Sequence, residues 1–268
     1  MIIYPVSICA EDGGLCGGCR MPRFFLLSGD DSLGFFEICG DDAHHISYSL
    51  RMREGEHITV CNGRGMDYDC EIYRMDGKTV SVRIVSSSPT RTESPVYIRL
   101  YQSIPKGGEK FDYIVQKAVE LGVSEIIPVY SERCITKPGA GNDDKRITRL
   151  NRIAGEAAKQ CGRGIIPRVF APVRFSDALF GVKSENAFIC YENEENMSLQ
   201  RYLDSFSGHC PQTLSFFVGP EGGYAEHEIA EARTVGVTSV KFGERILRCE
   251  TASGFVLSCL AYVFEKPI

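Results

Sequence analysis

The chain has no tryptophan, no excess of basic residues and no apolar run of membrane-spanning length. The last of these excludes a conventional transmembrane helix, which needs about 20 consecutive apolar residues. Met1 to Ala10 also lacks the basic start and sustained apolar centre of a secretory signal, so a soluble, cytoplasmic protein is expected. A net charge of −5 argues against a generic polyanion binder, whose affinity comes from clustered Lys and Arg neutralising phosphates. Charge is nevertheless segregated. Lys145, Arg146, Arg149, Arg152, Lys159, Arg163 and Arg168 form a basic stretch, and Glu185, Glu192, Glu194 and Glu195 concentrate acid elsewhere. Such a field can steer RNA to one face, although an ordinary solvated helix face gives the same pattern.

What is present in quantity is cysteine, 12 in 268 residues. Their scatter through apparent strands and helices fits reduced, small hydrophobic residues better than a disulfide framework. Cys9, Cys16 and Cys19 stand apart, because Cys-x-x-Cys between glycines is half of a zinc knuckle. No fourth ligand is evident, so zinc and free thiols both stay open and no metal is assigned. His44-His45 completes no ligand spacing either and is read as packing or RNA contact.

Between Phe24 and Val85 the chain runs in short apolar or alternating segments, Ile58 to Cys61, Asp69 to Arg74 and Thr79 to Val85, with a hairpin signal at Asp76-Gly77. This predicts a small β-barrel over residues 21–90 behind an N-terminal extension of residues 1–20. Ser86-Ser87-Ser88-Pro89 through Ser94-Pro95 reads as a linker. Beyond it the period changes. Val96 to Ser103 reads as a strand. Phe111, Ile114, Val115, Ala118, Val119 and Leu121 make a helical stripe stopped by Gly122. A second helix, capped at Asn142 or Asp143, carries Ile147, Leu150, Ile153, Ala154, Ala157 and Cys161 on one face. Further strands at Ile126 to Val129, Ala187 to Tyr191, Leu214 to Val218 and Thr238 to Phe242 imply an α/β domain, largely parallel, over residues 91–268. Ala252 to Phe264 is apolar almost all round, which predicts burial in a core or against a second copy.

Two glycine-bearing segments carry the chemistry. One is Leu214 to Val218 running into Gly219-Pro220-Glu221-Gly222-Gly223; the other is Phe242-Gly243-Glu244-Arg245-Ile246-Leu247-Arg248-Cys249-Glu250-Thr251-Ala252. Each reads as a strand opening into a loop before a helix, where free N–H groups face outward and a ligand can approach the main chain. Taken singly, such glycines can equally be turn formers.

At these residues the chain resembles the ribosomal RNA small subunit methyltransferase E family of knotted SPOUT methyltransferases, whose pattern approximates to GPEGG(F/Y)-x-x-x-E and LG-x-RILR-x-ETA. Lys106-Gly107-Gly108-Glu109-Lys110, Gln116-Lys117-Ala118-Val119-Glu120-Leu121-Gly122, Ser131-Glu132-Arg133 and Glu156 to Arg163 resemble further family stretches, so the likeness runs from about Met21 to the end. Glu244 departs from the usual proline, Cys249 from the usual threonine and Leu150 from an expected tryptophan. The resemblance implies a PUA-like barrel, a trefoil knot between about Leu214 and Ala252, a homodimer, S-adenosylmethionine as methyl donor, and N3 of one uridine in 16S ribosomal RNA as acceptor. The knot enters only in this way, since periodicity alone would never propose one.

On that reading, Gly219, Glu221, Gly222, Gly243, Ile246 and Leu247, with Tyr191 from an earlier strand, are the cofactor candidates. Arg248 is placed to stabilise charge developing on the uracil oxygens. Glu250 is placed to orient it or accept the proton, with a structural Arg248–Glu250 ion pair as the alternative. Arg23, Arg51, Arg53 and Arg64 on the barrel, and Lys106, Lys110, Arg163 and Arg245 on the larger domain, are the RNA-contact candidates. Methylation at another RNA position, or a non-catalytic ribosome assembly factor on the same fold, are the competing functions.

Overall fold

A computed structural model describes residues 21–26, 31–135, 143–182 and 186–265. Cys9, Cys16 and Cys19 lie outside the described residues. Among the described residues no group of three or more His, Cys, Asp and Glu is placed to hold a metal, and no helix is long and apolar enough to cross a membrane. The chain divides into two compact units, one ending at Thr90 and one beginning at Arg91.

The first unit is a five-stranded sheet in the order β1-β3-β4-β5-β2, formed by β1 (Arg23–Phe25), β2 (Phe35–Cys39), β3 (His57–Cys61), β4 (Met66–Met75) and β5 (Thr79–Pro89), with a one-turn α1 (Gly40–His44) after β2. Alternation places Ile58, Val60, Cys70, Ile72, Val80 and Val82 in its core. The Asp76-Gly77 turn joins β4 to β5, and the Asp76 carboxylate accepts from the N–H groups of Lys78 and Thr79 at 2.9 and 2.7 Å. The serine run is not a linker. Ser86, Ser87, Ser88 and Pro89 pair with Asp69, Tyr68, Asp67 and Met66, because a long β4 offers a ladder that outweighs the turn preference of the side chains.

The second unit is a parallel sheet in the order β12-β10-β11-β6-β7-β8, with β9 also pairing β7. Its elements are β6 (Tyr97–Ser103), α2 (Gly108–Glu120), β7 (Glu125–Tyr130), α3 (Asp143–Cys161), β8 (Arg168–Val169), β9 (Val173–Arg174), α4 (Phe175–Gly181), β10 (Asn186–Cys190), α5 (Leu199–Asp204), β11 (Thr213–Val218), α6 (Glu226–Thr234), β12 (Thr238–Val240) and α7 (Cys249–Phe264). Leu214, Phe216 and Phe217 of β11 and Leu100 of β6 are fully buried, which is why the central strands read as continuous apolar runs. Because every strand points the same way, the loops after β10, β11 and β12 leave the sheet at one end, where α/β folds bind ligands.

Two boundaries differ from the sequence expectation. β12 stops at Val240, and the chain from Lys241 to Arg248 forms a loop. α7 starts at Cys249, a turn before Ala252, with Arg248 as its extended N-cap. Nor is α7 covered all round within the chain. Ala252, Ser253, Val256, Leu257 and Leu260 face inward, and Phe255, Tyr262 and Val263 remain exposed.

Candidate active site

Three loops enclose a cavity of about 420 Å³: residues 190–193 after β10, 218–223 after β11 and 240–247 after β12, closed by Cys249 and Ala252 of α7. That volume falls within the roughly 300–1,000 Å³ usual for small-molecule pockets. All seven cofactor candidates line it, namely Tyr191, Gly219, Glu221, Gly222, Gly243, Ile246 and Leu247. Arg245 lines the same cavity. Arg248 does not, and Glu250 faces a neighbouring groove between α2 and α7.

The glycine loop after β11 is fixed from both sides. Lys110 Nζ donates to Glu221 Oε1 at 2.5 Å, and the Lys106 N–H reaches the same carboxylate at 3.1–3.2 Å. Burial pushes the Glu221 carboxyl up, but Lys110, its own N–H and the Lys106 N–H outweigh that and hold it below the usual carboxylate range. Arg133, from the loop after β7, donates through Nη1 to the Gly222 carbonyl at 2.7 Å. The sequence flagged the Ser-Glu-Arg stretch but gave Arg133 no task, since a donor to a backbone carbonyl 89 positions away leaves no local signal. Behind the loop, the Glu228 carboxylate accepts from the N–H groups of Glu132 and Ala225, both at 2.9 Å, so the β7 loop and the start of α6 share one anchor.

The glycines are required partly by the chain itself. Gly223 has φ of +66°, in the left-handed region, and a Cβ there would lie 2.7 Å from Glu192 Oε1. A Cβ on Gly219 would meet the backbone of Gly223 at 3.2 Å, so the turn closes on itself at that point.

At the start of α7, the Arg248–Glu250 ion pair considered from sequence does not form. Arg248 is exposed and makes no side-chain hydrogen bond among the described residues, while Glu250 Oε2 accepts from the Cys249 thiol at 3.2 Å. Burial acts to raise the Glu250 pKa, but its own N–H, the thiol, Lys110 and Arg248 together hold it below the usual range. The Cys249 thiol is pushed up to about 12 by burial and by the neighbouring carboxylate, so it stays protonated. Glu244 forms an ion pair with Lys241 at 3.1 Å.

The RNA-contact candidates separate. Arg51, Arg53 and Arg64 are exposed on the first unit, and Lys106 and Arg245 on the second. Lys110 is engaged with Glu221. Two expectations are corrected. Arg163 is only 4% exposed, and its guanidinium is held by Glu93 at 2.6 Å and by the carbonyls of Val119 and Val123, which withdraws it from any phosphate. Arg23 is largely buried and forks onto Asp67.

Comparison with known proteins bears on this geometry. Residues 92–261 match the family model described as an RNA methyltransferase domain, and residues 38–85 match the RNA methyltransferase PUA domain. The Bacillus subtilis protein named Ribosomal RNA small subunit methyltransferase E is 30% identical over 86% of this chain and 91% of its own. The Aquifex aeolicus protein of the same name is 34% identical over 78% and 87%. Among solved structures, the Neisseria gonorrhoeae Ribosomal RNA small subunit methyltransferase E bound to S-adenosyl methionine superposes with a TM-score of 0.80 at 33% identity, covering 91% of this chain and 98% of that one. A Legionella pneumophila putative methyltransferase, in complex with the same cofactor, gives 0.78 at 30% identity, with the same coverage.

Proposed function

Since the chain belongs to the ribosomal RNA small subunit methyltransferase E family, we propose that it methylates N3 of a single uridine in 16S ribosomal RNA. It is an S-adenosylmethionine-dependent RNA methyltransferase acting on small-subunit ribosomal RNA. The observation that supports donor binding is the convergence of three loops on one cavity, with every sequence-assigned cofactor residue on its wall, and the choice of uridine N3 as acceptor rests on the family resemblance.

The wall suits the donor. Main-chain groups of the glycine loop offer hydrogen bonds to polar edges, and Ile246 and Leu247 supply apolar surface for an adenine. When bound, the donor supplies a methyl group activated by attachment to a positively charged sulfur. The chain's own task is then positioning, holding the uracil nitrogen in line with that methyl so that the N–C bond forms as the C–S bond breaks. The N3 proton passes to solvent water, and the negative charge left behind spreads onto the uracil oxygens. Arg248, exposed and unpaired at the N-terminus of α7, is the group assigned to stabilise that charge, and the positive end of the helix dipole reinforces it. Glu250 turns to the groove beside α2, accepts from the Cys249 thiol and forms no ion pair with Arg248, so neither the orientation of Arg248 nor proton abstraction is assigned to it.

Arg51, Arg53, Arg64, Lys106 and Arg245 are assigned to phosphate contacts that position the strand, with the target base extruded for chemistry. A second copy of the chain is assigned to cover Phe255 and Tyr262 on α7, which are 40% and 88% exposed. The knot is assigned to the chain between β11 and α7. Incubating the protein with methyl-labelled S-adenosylmethionine and unmodified small subunits, large subunits or naked 16S RNA tests the substrate class. Label is expected in small-subunit RNA alone, and label confined to large subunits would refute the reading.

A further inference from the structure

We propose that Glu194 is a positioning residue for the cofactor-binding loops, a buried carboxylate that ties the loop after β10 to β12 and to the C-terminal end of α6. The proposal rests on the reading of the three-loop cavity as the S-adenosylmethionine site. Glu194 is 6% exposed and lies three residues past Tyr191, outside the cavity wall. Its Oε1 accepts from the Asn196 N–H at 2.9 Å, which closes its own loop. Its Oε2 accepts from Arg233 Nη2 at 2.7 Å and from the Ser239 hydroxyl. Arg233 in turn donates to Ser239 Oγ through Nε at 3.1 Å and Nη2 at 2.8 Å, completing a three-membered ring.

Each member belongs to a different element. Glu194 sits in the loop that begins with Tyr191. Arg233 is on α6, the helix the glycine loop leads into. Ser239 is on β12, two residues before the loop of Lys241 to Arg248. Main-chain bonds continue the fastening: Tyr191 N to Val240 O at 2.9 Å, Lys241 N to Met197 O at 3.0 Å, and Leu199 N to Lys241 O at 3.0 Å. One carboxylate therefore fastens the loop after β10 to β12, the strand from which the loop of Lys241 to Arg248 springs. Geometry of this kind decides how well a preformed pocket holds its ligand. Neutralising the carboxylate weakens its bonds to Asn196, Arg233 and Ser239 together, so the effect should reach the loops without any contact to the ligand.

The test uses the full chain carrying Glu194→Gln, with Ser239→Ala as a milder companion should the first fold poorly. Amide hydrogen exchange of the ligand-free protein reads how often the hydrogen-bonded amides of Tyr191, Lys241 and Leu199 open. Exchange at the Tyr191, Lys241 and Leu199 amides is expected to rise by about tenfold in E194Q, the size of a lost charged hydrogen bond, with α2 unchanged. Calorimetric titration is expected to show S-adenosylmethionine affinity about tenfold weaker, with KM for the cofactor raised and kcat at saturation little changed. Unchanged exchange at the Tyr191, Lys241 and Leu199 amides in a folded variant overturns the proposal, as does a wild-type cofactor affinity alongside a lowered melting temperature, which marks a purely structural ion pair. Failure of the wild-type protein to bind the cofactor refutes the reading of the cavity instead, and the exchange result still decides the role of Glu194.

Discussion

Gly223→Ala is the substitution for which the structure gives the clearest magnitude. Gly223 holds φ of +66°, and a side chain there must adopt the left-handed conformation, at about 1–2 kcal/mol. The added Cβ would also stand 2.7 Å from Glu192 Oε1, closer than such atoms approach. Glu192 is an exposed, flexible side chain, so it can swing away, and the second cost is smaller than the first. Part of the strain is relieved by opening the turn closed by the Gly223 N–H on the Pro220 carbonyl at 2.9 Å, which deforms the cavity wall. If most of the strain falls on the ligand-ready loop, S-adenosylmethionine affinity drops about tenfold, since ~1.4 kcal/mol is one decade. Glu192 itself lines the cavity, so calorimetric titration of Gly223→Ala, Glu192→Ala and the double variant is needed to separate the two costs: relative to Glu192→Ala, the double variant should lose only the backbone cost. A single variant that binds like the wild type and unfolds at the same temperature would refute the argument.

Three further outcomes are expected. Arg163→Met should destabilise the chain by ~3 kcal/mol, because Glu93 is left partly buried without its partner, and denaturant unfolding measures this; RNA affinity of the folded fraction should not change. Glu194 is held at about 2 although burial acts to raise it, because Ser239, the Asn196 N–H and Arg233 favour its charged form. Its folded pKa is thus below its unfolded value, so its contribution is full above about pH 4.5 and is lost as pH falls towards 2, and the acid limb of a stability-against-pH curve should flatten in Glu194→Gln. Arg248→Ala should lower kcat by about a hundredfold, comparable to removing one oxyanion donor, while leaving cofactor affinity within about twofold; a change confined to KM would move Arg248 out of the chemistry.

Much of the site could be read from the sequence because its parts are local. Apolar strands that end in glycine-rich turns announce loops at one end of a parallel sheet, and all seven residues assigned to the cofactor from those loops line one cavity. What escaped was long-range. Arg163 reads as one more member of a basic stretch, and only its distance to Glu93, 70 positions earlier, shows it to be internal. Glu194 reads as part of an acidic patch, but Arg233 and Ser239 make it a buried tie. Ser86 to Pro89 has linker composition and strand pairing, because backbone hydrogen bonds to β4 do not depend on the side chains. A face of α7 left for a second copy was expected, but not that Phe255, Tyr262 and Val263 would form it, since an all-apolar helix gives no sign of which side its own chain covers.

The most direct measurement is mass mapping of the nucleotide that receives the labelled methyl group when the protein acts on small ribosomal subunits lacking the modification. A single N3-methyluridine in 16S RNA is the expected product. A methyl group on any other atom or nucleotide would contradict the assignment of the reaction to uridine N3.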